Sequence, residues 1–210
     1  MIFDAIRQGD AAAVNALLTA NPELAESRNP QGTTAVLWAV YTRHPELVPI
    51  LLAGHPPDFF ESCALGDHAR AFELLTADAS LLNAHAPDGF TALGLAIYFG
   101  HADLARQLVA AGADVNLPSS NDFRVFPLHS AVANGNLELV ELLLVHGARP
   151  DPPEFQGGTP LHSAAALGSE RIVRKLLAAG ADRNLRTKDG KTASTLAREN
   201  NHLEVAQILE

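Results

Sequence analysis

Cysteine occurs once in this chain, at Cys63, so no internal disulfide can staple the fold, and the count is compatible with a reducing compartment. Apolar runs are short and broken by Gly, Pro or charge, far below the ~20 residues that a membrane-spanning helix needs. The opening Met1-Ile2-Phe3-Asp4-Ala5 has neither a basic start nor an apolar stretch, which predicts a cytoplasmic protein rather than a secreted one. Lysine and arginine form no cluster, so nucleic-acid binding through the phosphate backbone is disfavoured. There is no Gly-x-Ser-x-Gly elbow and no His-Glu-x-x-His pair, and Gln156-Gly157-Gly158-Thr159-Pro160 lacks the lysine of a phosphate-binding loop. The expectation is a protein that is not an enzyme and has no cofactor and no metal site.

What the chain does contain is ordinary globular material, 47% hydrophobic and 19% charged. Its net charge of −9 is unevenly spread. Residues 1–114 hold 13 Asp/Glu against 5 Arg, whereas residues 115–210 hold 11 acidic and 10 basic side chains. The front half is the acidic half.

One spacing recurs along the whole length. Thr159-Pro160-Leu161-His162-Ser163-Ala164 leads to Gly168, then to the apolar stripe Ile172, Val173, Leu176 and Leu177, then to Gly180-Ala181-Asp182. The stretch before it repeats the pattern as Phe126-Pro127-Leu128-His129-Ser130-Ala131, Gly135, Val140, Leu143, Leu144 and Gly147-Ala148. Gly135 and Gly168 are 33 residues apart, as are Gly157 and Gly190. Toward the front a second period appears: Ile6–Gly32 mirrors Cys63–Gly89 at an offset of 57 residues. That offset predicts a full repeat and a shortened one duplicated together, the shortened one running from Leu51-Leu52-Ala53-Gly54 straight into His55-Pro56-Pro57.

With its Thr-Pro-Leu-His box at 159–162, the near copy at 126–129 and the 33-residue period, the chain resembles the ankyrin-repeat family over nearly all of its length. The resemblance implies an all-α solenoid of about seven stacked helix pairs with short finger loops, one finger missing near 54–57. The predicted units of this single domain are 1–31 (N-terminal cap), 32–54, 55–88, 89–123, 124–156, 157–189 and 190–210 (C-terminal cap). Each pair has apolar surface on two sides and can bury it only against neighbouring pairs. The small residues Ala39, Ala96, Ala131, Ala164 and Ala165 are predicted to let first helices approach closely. In the front half Arg43 stands where glycine closes a first helix, Asn21 and Asp78 replace the glycine after a second helix as candidate left-handed caps, and Pro49 falls inside a second helix. Irregularity is expected around 43–57.

The resemblance also supplies plain roles for reactive side chains. None of the nine histidines forms a His-x-x-x-His pair; His129 and His162 are expected to bond within and between loops, as the family's box histidine does. His44, His101 and His202 follow the ends of first helices and are expected to be structural. Cys63 occupies a small-residue position matched by Ala39 and Ala96, which predicts a buried, inert thiol. The partner-binding candidates are aromatic or apolar residues in fingers, Phe90, Phe123 and Phe155, and on first helices, Trp38, Leu95, Tyr41, Tyr98 and Phe99. The finger Leu117-Pro118-Ser119-Ser120-Asn121-Asp122-Phe123 is two residues longer than its neighbours. The function expected is a cytoplasmic adaptor or regulator, of bacterial type, binding another protein across its concave face from unit 32–54 to unit 157–189. The acidic front half favours a partner with a basic patch. The alternative is a recognition domain within a larger enzyme or effector.

Overall fold

Several first helices begin where a side chain accepts the free N–H groups of the first turn. Thr34 accepts from the Leu37 amide at 3.1 Å, Asp58 from Glu61 at 2.8 Å and Thr192 from Thr195 at 3.2 Å. The first helices so started are short, six or seven residues, and glycine or a residue in a similar turn ends them. The computed structural model describes all residues, Met1–Glu210. Fourteen α-helices form seven pairs and there is no strand. The pairs are α1 (Ile2–Arg7) with α2 (Ala11–Ala20), α3 (Ala35–Tyr41) with α4 (Val48–Leu51), and α5 (Phe59–Leu65) with α6 (His68–Ala77). They continue as α7 (Ala92–Tyr98) with α8 (Ala102–Ala110), α9 (Pro127–Ala133) with α10 (Leu137–Val145), α11 (Pro160–Ala166) with α12 (Glu170–Ala178), and α13 (Ala193–Glu199) with α14 (Leu203–Ile208).

The chain divides into two compact units, Met1–Ala92 and Leu93–Glu210. In the first, α1 packs on α3 and α3 on α5. Ala39 and Cys63 lie at those contacts with no exposed surface. In the second, α9 packs on α11 and α11 on α13, with Ala131, Ala164, Ala165 and Ala197 fully buried. The second helices form a parallel row: Arg106 reaches Glu138 at 2.5 Å and Lys175 reaches Glu141 at 2.8 Å. These exposed pairs add at most about 1 kcal/mol each, so the alanine contacts carry the stack.

The 57-residue offset is reproduced between the first pair and the third, but the shortened repeat is not itself duplicated, since α8 has nine residues where α4 has four. Single antiparallel bridges close fingers at Arg28–Thr34 and His85–Thr91, and five-residue 3-10 helices follow α2 and α6 at Pro22–Glu26 and Ala79–Asn83. Between α4 and α5 no finger forms. The fingers flanking that gap therefore meet directly: a Cβ placed on Gly32, whose φ is +85°, would lie 2.5 Å from the Pro87 carbonyl oxygen.

The front-half substitutions behave in two ways. Arg43 does adopt the left-handed conformation, at φ 64°, and Pro49 leaves only a 3-10 turn at Pro45–Leu47 and a four-residue α4. Asn21 and Asp78, by contrast, are not left-handed caps. Both are extended, at φ −147° and −143°, because their side chains accept from the amides of Glu23 and Ser80 and start the 3-10 helices instead.

Gly32→Ala is expected to lower stability by roughly 1–3 kcal/mol, since it adds left-handed strain to a backbone clash. Urea unfolding midpoints of the wild type and variant check this; an unchanged midpoint would mean that the two fingers do not touch.

Candidate functional site

The two box histidines differ by one neighbour. In the box Thr159–His162, His162 Nδ1 accepts from the Thr159 amide at 3.2 Å and from its hydroxyl at 2.9 Å, while Nε2 reaches the carbonyl oxygens of Leu185 and Lys191 at 3.1 and 3.2 Å. The ring ties its own repeat to the next finger. His129 makes the corresponding bond from Nε2 to the Gly158 carbonyl at 3.3 Å, but Phe126 has replaced the threonine, and His129 Nδ1 is buried with no hydrogen-bond partner. Burial lowers the pKa of both rings, that of His129 to about 4. In the box beginning at Asp58, Glu61 takes the histidine position and returns the cap, accepting from the Asp58 amide at 2.9 Å. Burial raises its pKa.

The remaining titratable candidates are structural as well. His44 packs over Gly9, where an added Cβ would fall 2.5 Å from the ring, and His44 Nδ1 lies 2.9 Å from Glu46. Cys63 has no exposed surface, and desolvation pushes its thiol up to about 12, so it is no nucleophile at neutral pH.

Of the eight partner-binding candidates, three lie in the first unit and pack against their own chain. Trp38 is half-buried, its Nε1–H donating to the Phe3 carbonyl at 3.0 Å and its ring meeting Phe3 edge-on at 6.4 Å. Tyr41 and Phe90, also half-buried, lie 6.1 Å apart. In the second unit Leu95 is 1% exposed and must be withdrawn as a contact residue. Leu95 lies with Leu93, Ala96 and Ile97 among the buried residues of α7, whereas Tyr98 at the helix end faces solvent.

Three candidates stand out into solvent: Tyr98 is 54% exposed, Phe123 64% and Phe155 51%. Phe99 is half-buried, its ring edge-on to Tyr98 at 5.0 Å. The long finger carries Phe123 at its tip because Ser119 closes the loop beneath it: the Ser119 amide donates to the Val125 carbonyl and the Val125 amide to Ser119 Oγ, both at 2.8 Å. Successive finger tips are then joined, the Phe155 amide donating to the Phe123 carbonyl at 3.2 Å and the Lys188 amide to the Gln156 carbonyl at 2.9 Å. Lys188 Nζ lies 4.5 Å from the centre of the Phe155 ring. Sequence reasoning passed over Arg124, next to Phe123 in the chain, and Lys188, one 33-residue period after Phe155; those placements were the available signal. It also passed over the exposed Val145, Leu167 and Leu203.

No group of three or more His, Cys, Asp or Glu side chains gathers to hold a metal ion, and no helix is long and apolar enough to cross a membrane. Short capped first helices, apolar second helices and linked fingers at a 33-residue period define a helical-hairpin repeat protein of the ankyrin class. The family profile described as ankyrin repeats in three copies matches residues 2–119, 59–154 and 128–210. The chain belongs to the ankyrin-repeat family.

Among its relatives are an ankyrin repeat protein of Acanthamoeba polyphaga mimivirus, 32% identical over 55% of this chain and 24% of the relative, and the human BCL-6 corepressor-like protein 1, 38% identical over 40% of this chain and 5% of the relative. The tyrosine-protein kinase HTK16 of Hydra vulgaris is 34% identical over 47% of this chain and 13% of the kinase. The chain thus matches no more than about a quarter of the length of these relatives. Ankyrin repeats generally mediate protein–protein interaction.

Because His129 is neutral in the folded chain down to about pH 4 but titrates near 6.5 when unfolded, its neutral burial favours folding fully above pH 6.5. That contribution is lost as pH falls from 6.5 to about 4. The stability difference between wild type and His129→Gln should therefore shrink by roughly 2 kcal/mol between pH 7.5 and pH 5. Urea titrations at the two pH values measure it, and a difference independent of pH would contradict the buried neutral ring.

Proposed function

We propose that the chain is a non-enzymatic adaptor or scaffold that binds a partner protein through the first-helix face and finger tips of its second unit. The observation that carries this reading is the exposure of Tyr98, Phe123 and Phe155, three rings whose apolar area is left in water while the alanines behind them are buried. Aromatic side chains contribute large contact area at small entropic cost and are enriched where binding energy concentrates. Lys188 over Phe155 adds a cation that can pair with a partner's carboxylate. Acidic character in the first unit favours a partner that also carries a basic patch, with association slowed by salt. A cytoplasmic location agrees with this reading and rests on the sequence alone.

A second reading has its own support. The relatives are several times longer than the parts they share with this chain, and one of them is a kinase, so the repeats would serve as the recognition part of a larger enzyme or effector. Both readings assign binding to the same rings.

Tyr98→Ala combined with Phe155→Ala should abolish capture of a partner from the native host while shifting the unfolding midpoint by less than about 1 kcal/mol. Affinity capture with mass spectrometry, run beside thermal unfolding, checks both. A loss of stability equal to that of a core substitution would make the rings structural and end the assignment.

A further inference from the structure

The shortened repeat leaves more than a missing finger. The second helix of this repeat, the 3-10 turn Pro45–Leu47 running directly into α4, ends after seven residues where α2 and α6 have ten, so about 4.5 Å of helix is absent at 1.5 Å per residue. Alongside, the second half of α2 and the 3-10 turn after it have no helix of matching length to cover them. The space is an open groove of about 720 Å³, within the range of roughly 300–1,000 Å³ typical of ligand sites. Leu18 and Ile50, half-buried, supply apolar lining; Thr19 stands exposed on α2, and the exposed Glu23 and Glu26 supply the only charges. No lysine or arginine lines it. The surrounding unit, residues 1–92, holds 11 Asp/Glu against 4 Arg and no lysine.

We propose that this groove docks a short amphipathic helix of a partner protein, its apolar side on Leu18 and Ile50 and its Lys or Arg side chains toward Glu23 and Glu26. The helix takes up the length that α4 lacks, and the carboxylates select a cationic segment over an acidic one. An apolar groove receiving anchors at i, i+3 and i+4 is a general mode of helix recognition, and unpaired carboxylates beside it supply charge discrimination. The site is separate from the finger-tip rings of the second unit, although it rests on the same reading of the chain as a protein-binding module.

The test pans a phage-displayed library of random peptides, long enough for three helical turns, against the full chain. Selected peptides are then synthesised and titrated against three variants. Glu23→Lys with Glu26→Lys reverses the rim charge, Thr19→Trp fills the groove without changing charge, and Tyr98→Ala with Phe155→Ala removes the other candidate surface. The expected peptides carry apolar residues at helical spacing with Lys or Arg between them. Each groove variant should weaken them by about tenfold or more, with the Tyr98/Phe155 variant binding as wild type. Circular dichroism melts confirm that the variants fold; should Thr19→Trp unfold, the rim reversal at two exposed glutamates still decides. Peptides that are acidic or uncharged, or that bind the groove variants unchanged, would overturn the inference. If those same peptides were lost with the Tyr98/Phe155 variant, the finger-tip reading would survive that failure. No enriched peptide at all would overturn the inference and weigh against both surfaces.

Discussion

A helix pair of some thirty residues has apolar surface on two sides and no means of hiding it from water, so the whole structure depends on first helices that come close enough to cover one another. Alanine makes that approach possible. Ala39, Ala131, Ala164, Ala165 and Ala197 are fully buried, and each stands where two first helices of one unit meet. A larger side chain there would force the pairs apart, at a cost of about 1–3 kcal/mol. Ion pairs between second helices are exposed and weak by comparison.

Departures from the repeat follow from the same constraint. Once a finger is lost between α4 and α5, its flanking fingers close the gap and meet at Gly32 and Pro87. Where the box histidine is replaced by Glu61, the carboxylate closes its own helix start in place of a tie to the next finger. Where the box threonine is replaced by Phe126, the histidine keeps its bond to the next finger and loses the local one. The stack tolerates each change because burial between neighbours is retained. Surfaces that this burial does not consume, such as the rings of Tyr98, Phe123 and Phe155, remain free for recognition.

Much of the fold could be read from spacing. The 33-residue period gave the hairpins, the 57-residue offset located the shortened repeat, and the alanine positions marked the helix contacts. Side-chain direction was less legible. Leu95 and Tyr98 lie one turn apart on the same seven-residue helix, and spacing alone does not separate the buried one from the exposed one. Asn21 and Asp78 misled for a chemical reason: the same short polar side chains that tolerate a left-handed turn also cap a following helix, and here the cap prevailed. The groove beside α4 had no sequence signal of its own, because it is made by residues that are absent.

Native-state hydrogen exchange, read amide by amide, tests the central claim of neighbour-dependent burial most directly. Stability built from hairpin-to-hairpin contacts predicts graded protection within the second unit, with α14 and α13 opening at lower free energy than α11 and α9, which have neighbours on both sides. A single opening free energy shared by all four helices would contradict it.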